Sequence, residues 1–242
     1  MAATINTIIK SYLGDDMNVS LVSSYEDLIR DGFNFIADLI PADSQLWNNG
    51  NIQGGATDAG AESTFDVNIV EATRKILSVQ RTHTGDVARP AKEISYEDFL
   101  RGADSTSIFY HGHSYTLPVY TYTPNGSIQI SPPIGTNDTW TYNYFEYITA
   151  DVSALTPASM FDSAEDDYKG RGFPREAFLA ACIKASINLI QARISDAAQD
   201  DEDMELLQIL QTQAASLEKL LQAELAALQV PYNIIGVEDD TQ

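Results

Sequence analysis

The sequence is poor in the residues that most often build reactive sites or covalent cross-links. It contains one cysteine and three histidines in 242 residues. A single cysteine excludes an internal disulfide and cannot supply a cysteine-rich zinc site, and we expect Cys182 to be a small buried thiol. Three histidines leave few arrangements for a Ser-His-Asp or Cys-His mechanism, and no GxSxG motif supports one.

Basic residues are scarce as well. Fourteen Lys and Arg stand against 35 Asp and Glu, which gives a net charge of -21. Nucleic-acid affinity comes largely from Lys and Arg that displace counterions, so the composition disfavours tight DNA or RNA binding. Six of the bases share one stretch, which we interpret as a solvated face: Arg74, Lys75, Arg81, Arg89, Lys92 and Arg101.

Long apolar runs are missing too. The first 13 residues hold one Lys and no signal-type apolar segment, and no stretch approaches the roughly 18 continuous apolar residues of a membrane helix. We therefore expect no membrane partner and a protein made and kept in the cytoplasm, or in a particle assembled there. Hydrophobic residues still make up 44% of the chain, which predicts a folded core rather than a disordered acidic polymer.

The N-terminal part, 1–46, has apolar residues at helical spacing. The pattern predicts a short amphipathic helix over 5–13 that Gly14 stops, and then a helix over 24–40 that begins with a Ser23/Glu26 capping box and ends at Pro41. Residues 47–62 are rich in Gly and Asn and predict a flexible loop. Neither GxxxxGK[ST] nor GxGxxG occurs there, so the loop lacks a phosphate-binding motif.

The middle of the chain, 63–150, predicts an inserted β-rich region. Alternating residues flank Asn125-Gly126, which is the preferred pair of a tight hairpin turn, and Trp140 opens a further aromatic strand. We predict a β-meander over 107–149, preceded by a strand over 76–81 and a short helix over 96–101.

The C-terminal part, 151–229, predicts two long helices. Pro174 suits a first helical turn, and Leu179, Ile183, Ile187, Ile190 and Ile194 then form one stripe. A second helix follows Asp200, with an inner face of Leu207, Leu210, Ala214, Leu217, Leu221, Leu225 and Leu228. The short connection predicts an antiparallel helix hairpin. The fold class is therefore α+β, mainly α: a helical bundle with that hairpin, an inserted antiparallel β-meander and a C-terminal tail over 230–242.

Three clusters suggest chemistry without establishing it. His111-Gly112-His113 offers two ligands for a metal, which leaves a metal-dependent hydrolase as a second alternative. Asp162, Glu165, Asp166 and Asp167 do not follow the EF-hand spacing. Five aromatic residues could stack on sugars or meet a tail-side or neighbouring subunit: Tyr120, Tyr122, Trp140, Tyr142 and Tyr144. We assign no catalytic residue, cofactor or metal, and we expect no enzyme.

The order of these parts resembles that of the head-to-tail adaptor (connector) proteins of tailed bacteriophages. The resemblance rests on two N-terminal helices, a β-rich middle, the entry Gly172-Phe173-Pro174-Arg175-Glu176-Ala177-Phe178 into a long helix, and the acidic turn Asp200-Asp201-Glu202-Asp203-Met204-Glu205 before a second one. It covers most of the chain as a layout. Its sharpest part is the C-terminal third.

The resemblance implies a structural virion protein in the neck region, assembled in the host cytoplasm. Its copies would form a ring, commonly twelvefold, between the portal protein and a tail or nozzle protein. The C-terminal segment would reach the portal through Pro231, Tyr232, Ile234 and Ile235. DNA would pass through the ring without specific binding, and the acidic excess suits a channel that repels phosphates. The alternative from another class is a carbohydrate-binding or decoration protein that uses the aromatic residues.

Overall fold

The computed structural model describes residues 3–14, 25–48, 52–57, 64–65, 74–83, 85–103, 106, 116–124, 127–132, 138–149, 151–157, 173–199 and 204–230. In that part of the chain the protein mixes helices with small, mainly antiparallel sheets and has a C-terminal pair of helices. It divides into a first unit, Met1–Gly50 with Ile148–Gln242, and a second unit, Asn51–Tyr147.

Five α-helices and eight strands are described. The helices are α1 (Ile5–Leu13), α2 (Tyr25–Leu39), α3 (Tyr96–Ala103), α4 (Phe178–Gln199) and α5 (Met204–Ala227), with short 3₁₀ helices at Gln45–Asn48 and Arg175–Ala177. The strands are β1 (Ile52–Thr57), β2 (Thr64–Phe65), β3 (Arg74–His83), β4 (Arg89–Pro90), β5 (Lys92–Glu93), β6 (Val119–Tyr122), β7 (Ile128–Ser131) and β8 (Asp138–Glu146). All five helices lie where the sequence predicts them, whereas the Ser23 part of the capping box lies outside the described residues.

Helix α4 is the centre of the first unit. It packs against α1, α2 and α5, and it is buried on several sides rather than along one stripe. Leu179 was predicted on the inner face but is partly exposed, because the buried surface at this end belongs to Ala180 and Ala181. Among the described helices, only Arg175–Ala197 is long and apolar enough to cross a membrane, and its packing against three other helices accounts for that composition.

Small residues allow α2 and α4 to approach closely. A Cβ added at Gly32 would lie 2.7 Å from the backbone nitrogen of Ala185 and 2.8 Å from its Cα. Beside this crossing, the Asn188 amide donates to the Leu28 carbonyl at 3.1 Å. The two helices are therefore fixed both by direct backbone contact and by a side-chain hydrogen bond across the crossing.

Polar contacts hold the ends of α1 within the first unit. The backbone N–H groups of Ile5 and Asn6 donate to carbonyls of 155 and 153, each at 2.8 Å. At the other end, the Gln213 amide on α5 donates to the carbonyls of Tyr12 at 2.8 Å and Leu13 at 3.0 Å. Two of the N–H groups and two of the carbonyls that the ends of a helix leave unpaired thus find partners.

The second unit contains two four-stranded sheets, with the orders β1-β8-β3-β4 and β2-β7-β6-β5. Strands β6 and β7 pair antiparallel, but β8 pairs with β1 and β3, so the predicted three-strand meander is wrong. The prediction joined strands that are consecutive in sequence, whereas β8 pairs with more distant strands. One pairing, β5 with β6, is parallel.

The predicted loop over 47–62 also needs correction. Trp47 belongs to a 3₁₀ helix, and Ile52–Thr57 forms strand β1, in which Gly54 lies opposite Tyr142 and Gly55 opposite Thr141. Glycine weakens a strand because it has no side chain to pack. Here the backbone pairing with β8 overrides that weak local preference.

Candidate functional site

The five aromatic residues predicted as contacts lie mainly inside the second unit. Trp140 is fully buried, and Tyr120, Tyr142 and Tyr144 are each 8% exposed, whereas Tyr122 is half-buried. They pack with Ile76, Val79, Ile128 and Ile130. The Tyr142 and Tyr144 rings stack at 5.5 Å, and burial raises the pKa of the Tyr120 hydroxyl, which donates to Glu93 at 3.1 Å. The predicted aromatic platform is therefore a core in this chain.

A buried ionic group lies near one end of β3 and β8. Arg81 and Asp138 are both buried and form an ion pair through Arg81 Nη2 and Asp138 Oδ1. His83 Nδ1 lies 2.7 Å from the same carboxylate oxygen, while the His83 side chain is 45% exposed. Asp138 lies more than 50 positions from Arg81 and His83 in the sequence, so no local motif could have predicted the group.

The geometry fixes the chemistry of His83. An ionised carboxylate accepts hydrogen bonds and cannot donate one, so Nδ1 of His83 must donate to Asp138. In the neutral ring the other nitrogen, Nε2, is then an acceptor. Such a histidine could accept a hydrogen bond at Nε2 or hold one coordination position of a metal. Within the described ranges, however, no three His, Cys, Asp or Glu side chains form a metal-binding group.

The outer face of α5 is the most distinctive surface of the first unit. Its inner residues Leu210, Ala214, Leu217, Leu221 and Leu225 are buried, as predicted. On the outer face, six exposed and uncharged side chains follow helical spacing, and we call them the α5 stripe: Ile209, Thr212, Ser216, Leu220, Ala223 and Ala227.

The α5 stripe is apolar for an exposed surface. Ile209 is 58% exposed and Leu220 is 39% exposed. The Thr212 hydroxyl donates to the Gln208 carbonyl at 2.8 Å, so its polar hydrogen is already satisfied within the helix. At 1.5 Å per residue the stripe runs for about 27 Å. The spacing of these residues is visible in the sequence. The inner leucine stripe of the same helix is the stronger signal, however, and only that stripe was interpreted from the sequence.

A cleft in the first unit is the second candidate. It encloses about 570 Å³ and is lined by Pro41, Asp43, Ser44, Gln45, Leu46, Glu176, Leu228 and Gln229. Three separate segments form its walls, and each is held by backbone hydrogen bonds, such as Ser44 to Pro41, Ala177 to Pro174 and Val230 to Leu225. No Lys or Arg lines the cleft, so Asp43 and Glu176 make it acidic.

Titratable groups in the first unit respond to burial. Burial raises the pKa of the Cys182 thiol to about 12, as a buried, unreactive thiol requires. Burial lowers the pKa of Lys184, and the negative charge of Glu218 opposes that effect. The Lys184 ammonium also lies 4.7 Å from the centre of the Phe35 ring.

Several predicted residues lie outside the described part of the chain. These are the docking residues Pro231, Tyr232, Ile234 and Ile235, the pair His111 and His113, and the acidic group Asp162, Glu165, Asp166 and Asp167. Their predictions stay predictions. The candidate surfaces among the described residues are therefore the α5 stripe, the acidic cleft and the exposed side of His83.

The described residues form two units, and the first unit carries an acidic cleft and an exposed apolar stripe. A scan of the chain against protein-family models and a comparison with curated proteins each find no match.

Proposed function

We propose that this chain is a structural virion protein, a head-to-tail adaptor subunit that forms a ring with neighbouring copies between the portal and the tail. The observation that carries the proposal is the α5 stripe, six exposed and uncharged side chains with Glu205 at one end and Lys219 beside them, in a protein whose net charge is -21. A ring needs a surface on which like-charged copies can meet, and this stripe supplies one.

Electrostatics supports self-association at this face rather than elsewhere. Two copies of so acidic a chain repel each other, and the repulsion is weakest where the meeting surfaces bear few charges of the same sign. Exposed apolar residues such as Ile209 and Leu220 gain free energy when a neighbour covers them, at about 25 cal/mol per Å² of apolar surface. A contact that joins two different faces closes into a ring when its rotation allows closure.

The proposal includes an antiparallel hairpin of α4 and α5 as the part that carries the stripe. Glu218 influences the pKa of Lys184, and Glu176 lines the same cleft as Leu228. In both pairs, a residue further along α5 lies near one earlier in or before α4, which is the relation that two antiparallel helices produce. Packing against α4 would hold the stripe on a rigid support.

The proposed roles of the tail and of the ring as a whole follow from the resemblance in layout to head-to-tail adaptors. We propose that the tail over 230–242 docks on the portal and that a tail or nozzle protein binds the opposite side. Ring copies, twelve in the commonest arrangement, would line a channel for DNA in the virion neck. The acidic surface would let DNA pass without holding it, and no step requires a catalytic group, a cofactor or a membrane.

The test places a charge in the stripe. We expect Ile209→Asp combined with Leu220→Asp to prevent ring formation, because each new carboxylate would be buried between copies without a partner. Gln211→Asp on the same helix is the matched control, since Gln211 is exposed but lies outside the stripe. Native mass spectrometry of purified protein measures the assembly state, and circular dichroism checks that each variant keeps its helices.

We expect the unmodified protein and Gln211→Asp to form the same discrete ring, and the double variant to run near the chain mass of 26.5 kDa. An unmodified protein that stays a single chain at every concentration, alone and with portal rings, would contradict the proposal. Equal assembly of all three proteins would show that the α5 stripe does not take part in ring formation.

A further inference from the structure

Acidic and basic residues are distributed unequally between the two units. The first unit carries 24 of the 35 Asp and Glu but only eight of the 14 Lys and Arg. The second unit carries 11 acids and six bases, and all six bases fall in the stretch from Arg74 to Arg101. Each copy therefore has one strongly acidic unit and one that is much closer to neutral.

Two cations of the second unit lie on the edges of its sheets. Arg89 is in β4, the edge strand of one sheet, and Lys92 is in β5, the edge strand of the other. The Ala91 N–H donates to Val79 at 2.8 Å and the Lys92 N–H donates to Pro118 at 2.9 Å, so this short segment is fixed to both sheets. We call Arg89 and Lys92 the basic edge.

The charges of the cleft and of the basic edge are available for an outside partner. Among the described residues, neither Asp43 nor Glu176 has an ion-pair partner, and the same holds for Arg89 and Lys92. Lys92 is exposed, and its ammonium stands on a flexible stem that suits insertion into an acidic cleft.

We propose that the acidic cleft of one copy binds the basic edge of a neighbouring copy, with Lys92 entering between Asp43 and Glu176. The inference rests on the proposed ring and names a second contact within it. The contact joins two different surfaces, as a ring requires. Exposed ion pairs contribute little affinity, so this contact sets the register and direction of association while the α5 stripe supplies most of the free energy.

Charge reversal separates this contact from general repulsion. Asp43→Lys with Glu176→Lys makes the chain less negative, so repulsion between copies falls and nonspecific electrostatics predicts stronger assembly. The proposal predicts the opposite: the concentration for half-assembly rises by about tenfold or more, which corresponds to about 1.4 kcal/mol. Arg89→Glu with Lys92→Glu should weaken assembly as well. Combining all four changes restores both the contact and the original net charge, and should restore assembly.

Cross-linking identifies the contact directly. A carbodiimide joins an amine to a carboxylate in contact, so a mixture of ¹⁴N- and ¹⁵N-labelled copies should give mixed-isotope peptides linking Lys92 to Asp43 or Glu176. Lys92→Arg is the matched control, because it keeps the charge and hence the assembly but removes the reactive amine. Mixed-isotope peptides that survive in this variant would have to come from another lysine.

The outcomes separate this contact from the proposed function. A ring that depends on the α5 stripe but tolerates reversal of the cleft, or that is not restored by the four changes together, overturns the cleft contact and leaves the adaptor proposal standing. A second outcome is a cross-link from Lys92 to the cleft together with assembly that is unchanged by charges in the α5 stripe. That result supports the cleft contact and contradicts the role of the α5 stripe in ring formation. Links found only within one isotope overturn the contact between copies.

Discussion

The cores of the two units are built from different materials. The first unit packs aliphatic and small side chains around α4, where Ala180, Ala181 and Ala185 let neighbouring helices approach. The second unit surrounds Trp140 with tyrosines and aliphatic residues, and it also buries the Arg81–Asp138 ion pair. The core of the first unit depends on the close approach of helix backbones, whereas the core of the second unit depends on aromatic side chains and on a buried ion pair.

This difference predicts different weak points. A close-packed helical core is sensitive to added volume, because interiors are packed as densely as organic crystals. A buried ion pair is sensitive to the loss of either partner, because the remaining charge keeps its desolvation penalty. The sequence contains two tryptophans, Trp47 in the first unit and Trp140 in the second, and both are buried. In a Trp47→Phe background the fluorescence of Trp140 therefore reports the unfolding of the second unit. In a Trp140→Phe background the fluorescence of Trp47 reports the unfolding of the first unit.

The largest effect should come from the buried ion pair. We expect Asp138→Ala to destabilise the second unit by about 3–5 kcal/mol, because it leaves the Arg81 guanidinium buried without this carboxylate. The Trp140 fluorescence transition in urea measures the loss. We expect the Trp47 transition to shift less.

Asp86→Ala is the control for that experiment. Asp86 is exposed just after β3, and a substitution there should change stability by at most about 0.5 kcal/mol. His83→Ala should fall between the two variants, since the partly exposed imidazole can be replaced by water. A loss below 1 kcal/mol for Asp138→Ala would mean that the pair is not buried as described.

Helices were predictable in this chain because their signal is local. The apolar spacing of α1 and α2 and the stops at Gly14 and Pro41 are written within a few residues of each helix. The inner face of α5 follows from one residue in every three or four. The burial of α4 on several sides did not follow, because it depends on which other helices surround it.

Sheets were predictable only in part because strand partners lie far apart. The alternation of Trp140, Tyr142 and Tyr144 correctly predicted a strand with these residues on one face, but it did not show that this face is buried in the core of the second unit. Its partners β1 and β3 begin more than 60 residues earlier, and nothing local identifies them. The same limit hid the candidate sites: the cleft combines three distant segments, and the Arg81–Asp138 pair joins two strands.

The second effect tests close packing in the first unit. Gly→Ala inside a helix normally stabilises by about 1 kcal/mol, but at Gly32 the added methyl would meet the α4 backbone at 2.7 Å. Because a backbone atom cannot rotate away, we expect Gly32→Ala to destabilise the first unit by about 1–3 kcal/mol. Trp47 fluorescence in urea measures it, and Asp31→Ala, exposed on the same helix, is the control. Stabilisation by Gly32→Ala would show that α2 and α4 can separate without loss.

The smallest effect appears only at alkaline pH, and it tests whether water reaches the core of the first unit. Burial raises the pKa of Cys182 from 9.0 to about 12, so between these values the unfolded chain loses a proton that the folded chain retains. Stability therefore falls as pH rises above about 9, by up to about 1.4 kcal/mol per pH unit, and this contribution ends near the folded pKa. Cys182→Ala carries the same tyrosines and lysines but no thiol, so the difference between the two proteins in the pH dependence of urea unfolding isolates Cys182. We expect the Ala variant to start less stable, because it loses buried volume, and to lose stability less steeply between pH 9 and 10.5. Parallel pH profiles would show that water reaches the thiol in the folded state, and the first unit would then lack the close packing that sets it apart from the second.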